Sequence, residues 1–139
     1  PPLKYDYVYK LKKDFPDLEI IINGGIKSLN DSTNHLSKVD GVMIGRAAYD
    51  NPFMLNNVDT NFYNIPNHLN SKKEILNKYL EYVEMQLEKG HNLGRMMKHL
   101  FGLSRGDKFA KTFRLKILET IKNNSIKEYR KDLEELLVY

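Results

Sequence analysis

Two glycine-containing turns follow short apolar runs, and their residues are of the types that bind phosphate. Asn23, Gly24 and Gly25 follow the first run, and Gly45 and Arg46 follow the second. Glycine lets the main chain approach an anion closely because it has no Cβ atom and accepts a positive φ angle. Main-chain N–H groups and the Arg46 guanidinium are donors that phosphate oxygens accept. We call these five residues the strand-end site and predict that it binds a phosphate group.

The elements around the strand-end site have the order of a parallel α/β sheet. The apolar runs at 18–22 and 42–44 predict two buried strands. Helical patterns precede each run, over 5–14 and after an N-cap at Ser28. In a parallel sheet the two turns leave neighbouring strands at the same edge, so we expect them to converge on one phosphate. The inward side chains predicted for the first helix are Val8, Leu11 and Phe15.

Phosphate binding by the turns after two neighbouring strands is typical of the end of a (β/α)₈ barrel. A complete barrel takes about 250 residues, whereas this chain has 139 and begins at Pro1 without a methionine. We therefore expect a fragment that holds the last two βα units of a TIM barrel. Unpaired strand edges favour association between copies of such a fragment, although its oligomeric state is left open.

Beyond residue 70 the sequence has only helical periodicity. Four apolar stripes, joined by short connections, favour a four-helix bundle after the α/β part. The fold class predicted is therefore α/β plus all-α, dominated by helix. The third stripe is predicted to bury Phe109, Phe113, Ile117 and Ile121. The domains predicted are a barrel part over 1–58, a polar linker over 59–70 and a helical domain over 71–139.

The positive charge of the chain is concentrated in residues 89–122. This range has nine Lys or Arg against two Asp or Glu, whereas the rest of the chain is close to neutral. Such a block favours a polyanionic partner, although a solvated lysine face is the alternative. We define the basic surface as the candidate RNA-binding residues Arg95, Lys98, His99, Lys108, Lys111 and Arg114.

Several kinds of site are disfavoured by composition. The chain has no cysteine, which excludes disulfides, thiolate metal sites and a cysteine nucleophile from these residues. The four histidines lack the spacing of metal ligands, so no metal site is predicted. No apolar run reaches the length of a membrane span, and we expect a soluble intracellular protein. The pairs Met96–Met97 and Tyr79/Tyr82 are interpreted as core packing.

Several motifs resemble those of the tRNA-dihydrouridine synthases, in particular the A-type branch. The resemblance lies in Asn23-Gly24-Gly25-Ile26 and in the run from Asp40 through Gly45-Arg46-Ala47-Ala48 to Pro52. It continues in the helical half through the run from Gly94 to Leu103 and on to Lys111 and Arg114. It therefore covers nearly the whole chain.

The resemblance implies a flavoenzyme in which FMN lies at the mouth of a barrel. NADPH reduces the flavin, which then reduces a D-loop uridine of tRNA to dihydrouridine in enzymes of the (20/20a) type. It implies that the strand-end site binds the FMN phosphate and that Lys111 and Arg114 contact tRNA. The family's general acid is a cysteine on an earlier loop, so this chain alone carries no catalytic residue and is expected to be inactive. The location implied is the cytoplasm, or an organelle if a leader was removed.

Two other functions fit the same residues. One is a different FMN- or phosphate-binding barrel oxidoreductase whose terminal helices only cover the structure. The other is a helical RNA-binding module without catalysis.

Overall fold

The structure, a computed structural model, describes residues 2–69 and 71–137. Helices dominate, as predicted, and the chain divides into two compact units with the boundary between Tyr49 and Asp50. Within the described ranges, no helix is both long enough and apolar enough to cross a lipid bilayer.

The first unit has the predicted alternation of helices and strands. Ser28 caps the second helix as expected, since its Oγ accepts a hydrogen bond from the Asp31 N–H at 3.0 Å. The Asp31 carboxylate in turn accepts the Lys27 N–H at 3.1 Å, and this bond is the main cause that lowers the pKa of Asp31. The elements are α1 (Tyr5–Asp14), β1 (Ile21–Asn23), α2 (Leu29–Leu36), β2 (Gly41–Met43) and α3 (Arg46–Asp50).

The two strands pair in parallel, with Ile22 opposite Val42. β1 begins later than predicted because the main chain of Ile20 bonds to residues that precede β2. The Ile20 N–H donates to the Asp40 carboxylate at 2.8 Å, and the Ile20 carbonyl accepts the Asp40 N–H at 3.0 Å. Asp40 thus closes the connection from α2 to β2 against the start of β1.

The core of the first unit lies on one face of the strand pair. Ile22, Ile26 and Val39 are buried there. α1 has no fully buried residue, and the prediction that Leu11 and Phe15 turn inward is wrong, because they are 44% and 53% exposed. Two strands present too little apolar surface to cover the inward face of this helix.

The second unit is helical in the described residues. The predicted limits of the barrel part, linker and helical domain remain predictions, although a helix occupies the first half of the segment interpreted as a linker. The elements are a 3₁₀ turn (Pro52–Asn57), α4 (Val58–Tyr63), α5 (Lys72–Glu88), α6 (Leu93–Met97), a second 3₁₀ turn (Lys98–Gly102), α7 (Ala110–Asn123) and α8 (Ile126–Glu135).

Both ends of α5 are fixed by local hydrogen bonds. Ser71 and Glu74 form a capping box at its start. At its end the Gly90 N–H donates to the Leu87 carbonyl, and the His91 N–H donates to the Gln86 carbonyl at 3.0 Å. Gly90 has a φ of +84°, so this is a Schellman motif. The motif turns the chain sharply from α5 toward α6.

The core of the second unit is built from α5, α6, α7 and α8. α7 buries Phe113 and Ile117 as predicted, and also Thr120, whose hydroxyl donates to the Lys116 carbonyl at 2.9 Å. The prediction for Phe109 is wrong, because this residue precedes the first turn of α7 and is 45% exposed. The buried side chains of this core include Leu76, Leu80, Val83, Leu93, Met97, Leu100, Leu103, Phe113, Ile117, Ile126, Leu133 and Leu137.

An ion pair joins the start of α5 to the turn that precedes α7. The Lys72 Nζ lies 2.5 Å from the Asp107 Oδ1 and donates to the Arg105 carbonyl at 3.3 Å. Lys72 is only 7% exposed. A buried ammonium group needs such partners because it has left water.

Candidate functional site

The structure brings the two predicted turns to the same edge of the strand pair. Asn23 is the last residue of β1, and its register partner is Met43, the last residue of β2. Gly24 and Gly25 therefore leave the sheet beside the point where the chain continues to Gly45. This is the placement that the parallel order predicts.

The main chain of the first turn has a conformation that favours glycine. Gly24 has a φ of +111° and Gly25 a φ of +64°, both in the region that residues with a Cβ atom rarely adopt. A Cβ atom on Gly25 would lie 2.8 Å from the Leu3 Cδ1 and 2.9 Å from the Tyr5 Oη. Both the backbone angles and the packing therefore require glycine here.

Tyr5 fixes the orientation of the peptide between Gly24 and Gly25. Its hydroxyl donates to the Gly24 carbonyl at 2.6 Å. In a planar trans peptide the N–H points opposite to the carbonyl, so the Gly25 N–H points away from Tyr5. No described residue accepts a hydrogen bond from this N–H, which leaves it available to a ligand. This role of Tyr5 was not predicted, because nothing in the sequence pattern links Tyr5 to a residue 19 positions later.

The second turn has no structural reason for its glycine. Gly45 has no positive φ, and a Cβ atom added to it would meet no described atom within 4 Å. The first main-chain hydrogen bonds of α3 run from the Ala48 and Tyr49 N–H groups to the Gly45 carbonyl. The N–H groups of the residues before Ala48 thus precede the hydrogen-bonding pattern of the helix. Open space thus coincides here with main-chain N–H groups for which the described residues supply no acceptor.

Arg46 is an exposed cation at the start of α3. Among the residues that the structure describes, none forms a hydrogen bond or an ion pair with its guanidinium. The strand-end site therefore combines a positive charge with main-chain donors, and no described contact neutralises that charge.

The basic surface lies on consecutive segments of the second unit, and each of its residues is exposed. α6 carries Arg95, the 3₁₀ turn that follows it carries Lys98 and His99, Lys108 precedes α7, and α7 carries Lys111 and Arg114. Arg114 is held against the 3₁₀ turn because its Nε donates to the Phe101 carbonyl at 3.1 Å. This hydrogen bond holds α7 beside the 3₁₀ turn that carries Lys98 and His99. Arg95, in contrast, lies beside α5.

The cations of α7 differ in whether nearby carboxylates form ion pairs with them. Lys116 forms ion pairs with Glu119 at 2.8 Å and with Asp132 at 3.2 Å. These carboxylates, Glu119 first, raise the pKa of Lys116. Lys111, on the same helix, forms no ion pair with any residue in 2–69 or 71–137. The charge of Lys111 is therefore more available to a polyanion than that of Lys116.

The interpretation of Tyr79, Tyr82, Met96 and Met97 as core packing holds for only part of the group. Met97 is fully buried, but Tyr82 is 46% exposed. The Tyr79 hydroxyl donates to the Met96 carbonyl at 3.0 Å and so ties α6 to α5. Tyr82 and Met96 line an open cleft beside Arg95.

Comparisons with known proteins agree with the resemblance seen in the sequence. The family model described as dihydrouridine synthase (Dus) matches residues 1–137. A tRNA-dihydrouridine(20/20a) synthase of Synechocystis is 47% identical over 114 residues, which make up 82% of this chain and 34% of that protein. A protein of the same name from Vibrio cholerae is 40% identical over 119 residues, 86% of this chain and 36% of that protein. The chain spans about a third of the length of these curated relatives.

Proposed function

Because the chain belongs to the dihydrouridine synthase family, we propose that it works as part of a tRNA-dihydrouridine synthase. In this proposal the first unit binds the phosphate of FMN and the second unit docks tRNA. The finer architecture is part of the same proposal: α1 to α3 belong to the last two βα units of a TIM barrel, and the later helices form a four-helix bundle. The observation that carries it is the pair of turns at one edge of β1 and β2.

The residues of the strand-end site fit a phosphate group. The Gly25 N–H points away from Tyr5, the space at Gly45 is open, and the Arg46 guanidinium has no partner among the described residues. Arg46 binds two phosphate oxygens through its planar fork, while the glycine turns let main-chain donors approach closely. Asn23, at the end of β1, adds a side-chain amide at the same edge.

The chemistry supplied by FMN, when bound and reduced by NADPH, is hydride transfer to the uracil ring. The residues of this chain bind and orient the phosphate end of the cofactor. None of them is proposed as the proton donor, since the chain has no cysteine. The chain by itself is therefore proposed to bind rather than to catalyse.

The second unit is proposed to bind tRNA through phosphate contacts from the basic surface. Five of its residues have permanent charges. Each phosphate that they neutralise releases counterions, so log K falls by about 0.7–0.9 per contact for each unit of log salt concentration. Five contacts therefore predict a slope of about −4. Double-helical RNA is recognised mostly by shape and backbone, which suits cations on successive helical segments.

The test is the salt dependence of binding to an unmodified tRNA transcript, measured by fluorescence anisotropy. The variant Lys111→Ala/Arg114→Ala is expected to reduce the magnitude of the slope by about 1.5, to about −2.5, and to weaken binding at low salt. The control is Lys131→Ala on α8, where an 86% exposed lysine lies outside the basic surface. A slope that is equal in the wild type and the double variant would contradict the docking proposal.

A further inference from the structure

A cleft between α5 and α6 lies beside the basic surface and shares Arg95 with it. It has a volume of about 460 Å³, which lies within the range of ligand pockets. The Schellman turn at Gly90 forms one end of it, and Arg95 lies on the α6 side. The lining residues are Tyr82, Gln86, Gly90, His91, Asn92, Arg95 and Met96.

The wall on α5 offers an aromatic ring to a flat ligand. Tyr82 is 46% exposed, and its ring centroid lies 5.9 Å from that of Tyr79 at a tilt of 39°. Tyr79 is itself fixed by its hydrogen bond to the Met96 carbonyl. The exposed Tyr82 ring therefore packs against a fixed Tyr79 ring, and Met96 also lines the cleft. An unstacked base binds to such a pair of surfaces.

The polar groups of the cleft are free to bind the edge of a base. The Gln86 amide forms no hydrogen bond with the described part of the chain and offers both a donor and an acceptor. The Asn92 Oδ1 accepts the Arg95 N–H at 3.0 Å, so its NH₂ group remains as a donor. Amides of this kind recognise the hydrogen-bonding edges of unpaired bases.

The charge of the cleft favours an anionic ligand. Arg95 is exposed and has no ion pair among the described residues, and none of the residues that line the cleft is Asp or Glu. A guanidinium beside an aromatic ring matches a nucleotide, whose phosphate and base are joined by one sugar. A basic peptide would place its charge against Arg95 and is disfavoured.

We infer that this cleft binds one unpaired nucleotide of the docked RNA, with its base on Tyr82 and its phosphate at Arg95. The inference rests on the proposed docking of tRNA and adds a contact that depends on stacking. The cleft would then fix the register of the RNA on the helical unit, since stacking needs an unpaired base at one position along it.

The first test is tRNA binding by three variants at α5. Tyr82→Ala is expected to weaken tRNA binding about fivefold or more, since one stacked base is lost, and to leave the salt slope unchanged because no charge is removed. Tyr82→Phe keeps the ring and is expected to bind like the wild type. Met85→Ala is the matched control, because Met85 is 54% exposed on the same helix but does not line the cleft.

The second test uses NMR titration of the chain with AMP and UMP. The amides expected to shift are those of Gly90, His91 and Arg95, and Tyr82→Ala should abolish these shifts. Wild-type affinity of Tyr82→Ala for tRNA would overturn the inference, even with nucleotide shifts present, because the cleft would then bind only free nucleotides. Shifts confined to Lys98, Lys111 and their neighbours would also overturn it.

The two proposals fail in different ways. If Lys111→Ala/Arg114→Ala leaves the salt slope of tRNA binding unchanged, docking through the basic surface is contradicted. If Tyr82→Ala and Tyr82→Phe bind tRNA with equal affinity, the nucleotide cleft is contradicted and the docking proposal stays intact.

Discussion

Replacing Gly25 with alanine adds a methyl group where the structure has no room for it. The new Cβ atom would lie 2.8 Å from the Leu3 Cδ1 and 2.9 Å from the Tyr5 Oη. Leu3 is 56% exposed and can rotate away, but the Tyr5 hydroxyl is bound to the Gly24 carbonyl. Displacing it costs about 1 kcal/mol of hydrogen bonding, and the φ of +64° costs alanine about 1 kcal/mol more.

We therefore expect Gly25→Ala to lower the free energy of unfolding of the first unit by about 2 kcal/mol. Gly45→Ala is the matched control in the same unit, because Gly45 has no positive φ and an added Cβ atom would meet no described atom within 4 Å. It is expected to be nearly neutral. In the variant Tyr5→Phe the hydroxyl is absent, so adding Gly25→Ala should cost only the backbone term, about 1 kcal/mol.

The assay is hydrogen exchange at the Asp40 and Gly41 amides, which donate to the Ile20 carbonyl and so report opening of the strand pair. A loss of 2 kcal/mol corresponds to exchange about 30 times faster. Equal exchange rates in Gly25→Ala and Gly45→Ala would refute the reasoning. So would full additivity of Gly25→Ala with Tyr5→Phe, because the hydroxyl would then have no part in the cost.

Two further predictions concern charged groups of the first unit. In a chimera that carries this sequence in place of the matching part of the Synechocystis relative, Arg46→Ala is expected to weaken FMN binding about tenfold or more, measured by fluorescence titration. Binding of riboflavin, which lacks the phosphate, should not change, and an equal loss for both ligands would count against a phosphate contact. Asp40→Asn is expected to destabilise the unit at neutral pH but not in strong acid, as measured by urea unfolding across pH. The Ile20 N–H and Lys12 lower the pKa of the Asp40 carboxyl below 3.8. The stabilisation by Asp40 is therefore present above pH 3.8 and is lost as the pH falls through the folded pKa. An effect of Asp40→Asn that does not depend on pH would contradict this prediction.

Local patterns predicted much of the secondary structure. The alternation of α1, β1, α2 and β2 follows from apolar runs and helical spacing, and the caps at Ser28 and Ser71 follow from residue types that bind free N–H groups. The parallel order also placed the two glycine turns at one edge. These features depend on residues that are close in sequence or on general rules of sheet order.

The features that the sequence did not reveal depend on long-range contacts. The bond from Tyr5 to Gly24 spans 19 residues, and the pair of Lys72 and Asp107 spans 35. Neither leaves a periodic signal. Phe109 has the spacing of the buried stripe but lies before the helix begins, so its side chain is not carried to the core. Tyr82 has an open cleft beside it that helical periodicity does not encode.

The ion pair of Lys72 with Asp107 has a consequence for the proposed docking of RNA. It anchors the turn that leads to Lys108 and the start of α7, so this stretch is already ordered before a partner arrives. Less conformational freedom is then lost when phosphates are contacted. Lys72, which lies outside the basic surface, would in this way strengthen the proposed binding of RNA by Lys108 and Lys111.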